Sequence, residues 1–150
     1  MCIITTKHPS YIMIYVIIQF SCIFYLIFNT RLDSFNAFNY ALLGIGFIIG
    51  LSAIMAMKLD NFNMQPTLKS QHKLITNGIY RWVRHPMYTS ALTLCLALAL
   101  SNNHLFSQLA LLALTVILIL KSNLEEKFLT QRFSNYQDYR KKTGYFVPFL

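Results

Sequence analysis

The chain has 150 residues, of which 55% are hydrophobic and only 12% charged, with a mean hydropathy of +0.46 and a formal net charge of +8. That balance excludes an ordinary soluble domain, and the length fits one domain over residues 1–150. The basic excess does not point to nucleic acid, because Lys and Arg flank apolar stretches instead of gathering into a long run.

No Lys, Arg, Asp or Glu falls between Lys7 and Arg31, between Asp33 and Lys58, or between Arg84 and Lys121. A bilayer core takes about 20 helical residues to cross, and each gap holds enough. After a short polar lead, residues 11–28 predict a first span; Asn29-Thr30-Arg31-Leu32 offers no small-residue cleavage site, so this reads as a retained helix and not a signal peptide. Residues 38–57 predict a second, in which Gly44, Gly46, Gly50, Ser52, Ala53 and Ala56 allow another helix to approach closely. Residues 58–84 form the longest polar region. The runs 87–101 and 105–121 predict a helical hairpin around Ser101-Asn102-Asn103-His104, its second helix continuing through Glu125-Glu126 towards Phe133 into a basic, aromatic tail. Cys2, Cys22 and Cys95 are odd in number and widely spaced, and read as small core residues with no metal or redox motif.

The expected architecture is therefore an all-α integral membrane protein with four transmembrane helices. Five Lys or Arg fall in 58–84, six in 121–150, and Lys7 brings the total on one side to twelve of thirteen, leaving Arg31 opposite. The positive-inside rule makes that side the cytoplasm, with both termini on it, as in a bacterial inner membrane. The 58–88 region and the C-terminal helical tail then meet on one face.

The chemistry concentrates in Leu74 to Tyr88. Asn77-Gly78 is a turn signal, and Pro86 disfavours a helical conformation at His85 while suiting the first turn of a helix itself. His85 and Arg84 should thus sit at the mouth of the third helix, with Glu125 and Glu126 one turn beyond the fourth span. Ionisable groups at such a depth are functional candidates. Read blandly, Glu125 would pair with Lys121 at i, i+4, and Arg81, Trp82, Tyr11 and Tyr15 would meet head groups and the interface. His8 and His104 read as surface residues.

The string His72-x-Leu74-Ile75-Thr76-x-Gly78-Ile79-Tyr80, then Arg84-His85-Pro86-Met87-Tyr88, then Glu125-Glu126 with Tyr136-x-x-Tyr139 and Pro148, resembles the isoprenylcysteine carboxyl methyltransferase family. Phospholipid N-methyltransferases are similar in the same region. The resemblance covers roughly residues 58–150 and implies S-adenosylmethionine held at the cytosolic ends of the helices. It implies cofactor contacts from Gln65, from His72, Lys73, Leu74 and Ile75, from Tyr80, from His85, Pro86, Met87 and Tyr88, and from Glu125. Lys121 stands where that family carries an arginine near the lipid-borne acceptor, which replaces a two-bond grip on a carboxylate with a point charge.

The residue types suit such a ligand. Leu74, Ile75, Tyr80 and Tyr88 offer an apolar and aromatic slot for a base, and Glu125 and Gln65 offer acceptors. Arg84, His85 and the amides after Pro86 offer donors to a carboxylate. A carboxylate acceptor needs no general base; an amine acceptor does, a role open to Glu126 or His85. The expected activity is methyl transfer to a lipophilic acceptor, a carboxylate such as a prenylcysteine-like group, with membrane lipids as surroundings and no nucleic acid. The alternatives are a phospholipid amine N-methyltransferase and a non-catalytic membrane scaffold protein of the same fold. A sterol-reductase-like enzyme is disfavoured, because its dinucleotide needs more room and more helices.

Overall fold

The computed structural model describes residues 9–57, 74–102 and 104–148, and among these it is helical with no strand. Four long helices, α1 (Pro9–Phe28), α2 (Ala37–Met57), α3 (Pro86–Leu100) and α4 (Leu105–Arg132), are followed by the short α5 (Tyr136–Lys142). Single 3-10 turns occupy Leu32–Ser34 and Gly78–Arg81. The bounds of the four long helices lie close to the expected ones. The last continues well past its apolar residues, as the sequence indicates.

Each helix end has a local cause. At the end of α1, Thr30 Oγ1 donates to Leu26 O at 2.7 Å, and Asn29 Nδ2 adds a hydrogen bond at 3.0 Å to Tyr25 O, which also accepts from Asn29 N. Asn36 caps α2, its Oδ1 accepting from the amides of Phe38 at 3.0 Å and Asn39 at 3.1 Å. Pro86 opens α3 at a position where its missing N–H costs nothing. Arg140, Lys141 and Lys142 close α5, favourably placed against the helix dipole.

Two helices, Ala37–Met57 and Leu105–Arg132, are long and apolar enough to cross a membrane; Met13–Phe28 and Pro86–Leu100 are shorter apolar helices. Large apolar side chains cover their outsides, among them Phe47, Ile48 and Met55 on α2 and Phe106, Leu109 and Leu112 on α4, all exposed. Water would not tolerate a surface of that extent, whereas lipid requires it.

Inside, α1 packs on α4 and α2 on α3, and Leu26, Cys95, Ala99, Leu114 and Leu118 form a buried cluster where α1, α3 and α4 meet. Cys22 is half-buried and Cys95 buried, both free, as small core residues. The α2–α3 contact depends on small residues. A Cβ built on Gly46 would lie 2.8 Å from Leu94 Cγ, and one on Gly50 would lie 2.7 Å from Ser90 Oγ. That closeness lets Ser90 Oγ donate to Gly46 O at 2.7 Å, and buried Asn39 Nδ2 donates to Ala97 O at 2.8 Å. Gly44 meets nothing within 4 Å and takes no part in this packing.

At one end of the bundle, Asn102 Nδ2 donates to Asn29 O at 2.8 Å and Arg31 N to Ser101 Oγ at 3.3 Å, so the α1–α2 and α3–α4 connections meet there. The opposite end receives the close of α2, the start of α3 and the polar extension of α4. It also receives α5 with the tail behind it.

Candidate functional site

The second end is built around the segment 82–85. Gly144 N donates to Trp82 O at 3.0 Å, Arg84 N to Gly144 O at 2.9 Å and His85 N to Tyr145 O at 3.2 Å, forming an isolated parallel bridge between Val83 and Gly144. Thr89 Oγ1 donates to Phe146 O at 2.7 Å. The tail therefore zips along the lead into α3. Upstream, Gly78 alone takes a positive φ, +58°, while Asn77 is extended, so the turn signal resolves to the one residue that needs no Cβ. The turn brings Tyr80 to Tyr139, whose hydroxyl donates to Tyr80 O at 2.6 Å.

Glu126 is the electrostatic centre of this assembly. Only 4% exposed, it accepts from Arg84 Nε at 2.7 Å and faces His85 Nε2 at 3.2 Å and Arg140 Nε at 3.3 Å. Burial alone would push its carboxyl up, but hydrogen bonds from His85 and Arg84, with their charges, outweigh burial and hold it at about 2. An ionised Glu126 can only accept, so the His85 Nε2 hydrogen points at it. His85 Nδ1 is then turned towards Glu125, 3.9 Å from its Oε2. Around the imidazole, Tyr88 stacks at 5.6 Å between centroids and 5° between planes, and Tyr145 meets it edge-on at 5.2 Å. The Tyr88 hydroxyl donates to Glu125 Oε1. Burial raises Tyr80 above the ordinary phenol value, with Tyr139 and Glu125 adding to it, and pushes Tyr139 up to about 12. Both stay neutral donors.

Arg84 is largely committed to the protein. Besides Glu126, it donates through Nη1 to Arg140 O at 2.9 Å and to Thr143 O, and its guanidinium lies 5.3 Å over the Tyr145 ring. Its first duty is to fix the tail. Nor does Glu125 pair with Lys121, as helix spacing alone suggests. The Lys121 ammonium turns to Gln19 Oε1 of α1 at 3.1 Å and lies 5.4 Å from the Tyr88 ring.

A cavity of about 430 Å³ opens beside these groups. Its wall holds Tyr80, Arg84, His85, Pro86, Met87, Tyr88, Lys121 and Glu125, eight of the expected residues drawn from three separate parts of the chain. Glu126 lies behind the wall and acts through Arg84 and His85. Leu74 and Ile75, half-buried in the lead to the 3-10 turn, do not line it. Gln65, His72 and Lys73 lie outside the described residues. Val16, Gln19 and Phe20 of α1, Met57 of α2, Ala91 of α3 and Leu129 of α4 complete the wall, and sequence reasoning missed all six. One signal was available: Gln19 is the sole carboxamide between residues 9 and 28, and a polar side chain inside an apolar helix faces protein or ligand. The tail's part, through Arg140, Tyr145 and Phe146, has no counterpart in spacing.

The volume falls within the 300–1,000 Å³ usual for small-ligand sites. The lining mixes a carboxylate, a cation and aromatic faces. At the start of α3, Tyr88 N and Thr89 N both bond to His85 O, while the amide of Met87, a residue of the cavity wall, finds no backbone acceptor among the described residues. A zwitterionic ligand with an aromatic base fits these groups. Among the described residues no cluster of His, Cys, Asp and Glu could hold a metal ion.

Residues 35–136 match a family model described as phospholipid methyltransferase. Two rice proteins, each named "Probable protein-S-isoprenylcysteine O-methyltransferase", from Oryza sativa subsp. indica and subsp. japonica, are 34% identical to the chain over 87 residues. The match covers 55% of this chain and 44% of each relative, so the chain spans less than half of their length.

Proposed function

The chain belongs to the phospholipid methyltransferase family of membrane methyltransferases, and from that premise we propose that it moves a methyl group from S-adenosylmethionine to a lipophilic carboxylate at the cytoplasmic face of the membrane. The observation that carries this reading is a cavity on which His85, just ahead of α3, Tyr88 of α3, and Lys121 and Glu125 of α4 converge. In this reading all four long helices cross the bilayer.

When bound, S-adenosylmethionine supplies an electrophilic methyl on a sulfonium whose positive charge vanishes as the methyl leaves. Glu125 would accept from the donor's ammonium, and the main-chain N–H groups that open α3, beside His85, would face its carboxylate. Tyr80 and Tyr88 would flank the base. Glu126 and the tail hold the His85 ring rigid, so the geometry is set before the ligand arrives. That preorganisation, together with exclusion of water by the apolar wall, is where most of the rate should come from. Lys121 faces the acceptor's negative charge. Because a carboxylate is already a nucleophile, no protein group has to remove a proton.

A phospholipid amine is the second reading, favoured by the name of the matching family. There a protein group would have to take the proton that the amine must lose, a role open to His85 on the wall. The two readings give chemically different products: alkali releases methanol from a methyl ester and leaves an N-methyl group in place.

The test is binding of labelled S-adenosylmethionine to the purified protein in detergent, comparing wild type with His85→Ala and Glu125→Ala. Each variant should weaken binding about tenfold, the worth of a lost charge-assisted hydrogen bond. Unchanged binding in both would remove the assigned site.

A further inference from the structure

We infer that α1, which lies outside the family-matched residues, supplies the acceptor's subsite: Gln19 presents the Lys121 ammonium to a lipid carboxylate whose chain runs along Phe20, Phe24 and Phe28. The inference rests on the methyltransferase reading and adds to it which helix selects the acceptor.

Three observations carry it. First, among the described residues no carboxylate lies within 4.0 Å of Lys121, although the ammonium sits on the wall of a mostly apolar cavity. An ammonium has three donors; Gln19 takes one and the Tyr88 ring faces another side. A cation so placed wants an anion, and Glu125 acts on it only from beyond ion-pair distance, its carboxylate engaged by the Tyr88 hydroxyl and lying beside His85. Second, Gln19 is the reason the ammonium points where it does. Its carboxamide is neutral, so it fixes the direction of the charge without cancelling it.

Third, a row of aromatic side chains leads away from the cavity along α1. Phe20 lines the cavity, and Phe24 and Phe28 follow at i+4 and i+8, with ring centroids 6.5 Å apart at each step. Exposure rises along the series, 41%, 55% and 81%, from the cavity mouth to open surface. This is about 12 Å of helix axis. A continuous aromatic face beginning at a cation suits an amphiphile with an anionic head and a single long chain. It does not suit a cationic head.

The test uses two photoactivatable probes, a 16-carbon fatty carboxylate with a diazirine in mid-chain and the alkylamine of the same length, each crosslinked to the purified protein in detergent. Adduct positions are mapped by mass spectrometry. The carboxylate should label the Phe20–Phe28 face about tenfold more than the amine does. Gln19→Glu keeps the contact with Lys121 but neutralises the ammonium, and should abolish that preference; a merely structural role for Gln19 would leave it intact. Phe24→Ala, on the open surface, should lower carboxylate labelling at Phe20 and Phe28 about fivefold. Equal labelling of α1 and the outer faces of α2 and α4, or a preference that survives Gln19→Glu, would overturn the inference. Binding of S-adenosylhomocysteine to the same samples reports separately on the methyltransferase reading: its absence in wild type removes that reading, while the labelling pattern still decides this one.

Discussion

Replacing Glu126 by Gln tests the electrostatic centre of the site. The substitution keeps the shape of the side chain and removes its charge. In the folded protein the carboxyl is held at about 2 against an ordinary value of 4.5, a depression worth roughly 3 kcal/mol. Because Glu126 is 4% exposed, solvent screening subtracts little. Removing one partner from a buried charge cluster costs about 3–5 kcal/mol by mutational precedent, which agrees. The folded value is depressed, so the contribution is complete above pH 4.5 and is lost as pH falls towards 2, where the folded carboxyl also takes its proton. Chemical unfolding in detergent, followed by tryptophan fluorescence at several pH values, reads the difference between wild type and Glu126→Gln. The gap should be about 3 kcal/mol at pH 7 and should close between pH 4.5 and 2. Equal stability at pH 7, or a gap that ignores pH, would refute the assignment of Glu126 as the ionised hub beneath His85.

Gly46→Ala should destabilise the protein by about 1–3 kcal/mol, because the new methyl meets Leu94 at 2.8 Å, whereas Gly44→Ala should be neutral or stabilise by up to about 1 kcal/mol. Unfolding in detergent compares the two, and equal effects would remove the packing argument. Tyr139→Phe deletes the hydroxyl that donates to Tyr80 O and should cost about 1 kcal/mol, with S-adenosylhomocysteine binding weakened through the loosened Tyr80 turn. In a cysteine-free background, His104→Cys and Lys142→Cys should react with an impermeant thiol reagent from opposite sides of sealed vesicles. Reaction from the same side would end the four-crossing reading.

The helices were legible because the sequence encodes them by omission. Three gaps without charge and one short polar turn delimit α1 to α4, and the run through Glu125-Glu126 shows α4 extending past its apolar part. The α3 boundary was legible from Pro86 alone. Among the site residues, Tyr80, Tyr88, Lys121 and Glu125 on helical elements, with His85 at the entry to α3, converge on one cavity. What spacing could not show is partner choice across the chain. Helix periodicity pairs Lys121 with Glu125, but α1 brings Gln19 within reach, and Glu125 finds the Tyr88 hydroxyl instead. The tail illustrates the same limit. Gly144 and Tyr145 join the 82–85 segment by backbone hydrogen bonds, which carry no side-chain signature. Glu126, open as a proton acceptor on sequence alone, is buried against Arg84, His85 and Arg140, a burial that sequence alone does not report.

The central claim is methyl transfer to a lipid at the His85–Glu125 cavity. Its most direct test is mass spectrometry of a native lipid extract after incubation with purified protein and methyl-labelled S-adenosylmethionine. The account predicts label in a lipid species, released by alkali as methanol, and lost in His85→Ala and Glu125→Ala; folded wild-type protein that labels no lipid, or labels one equally well in both variants, would contradict it.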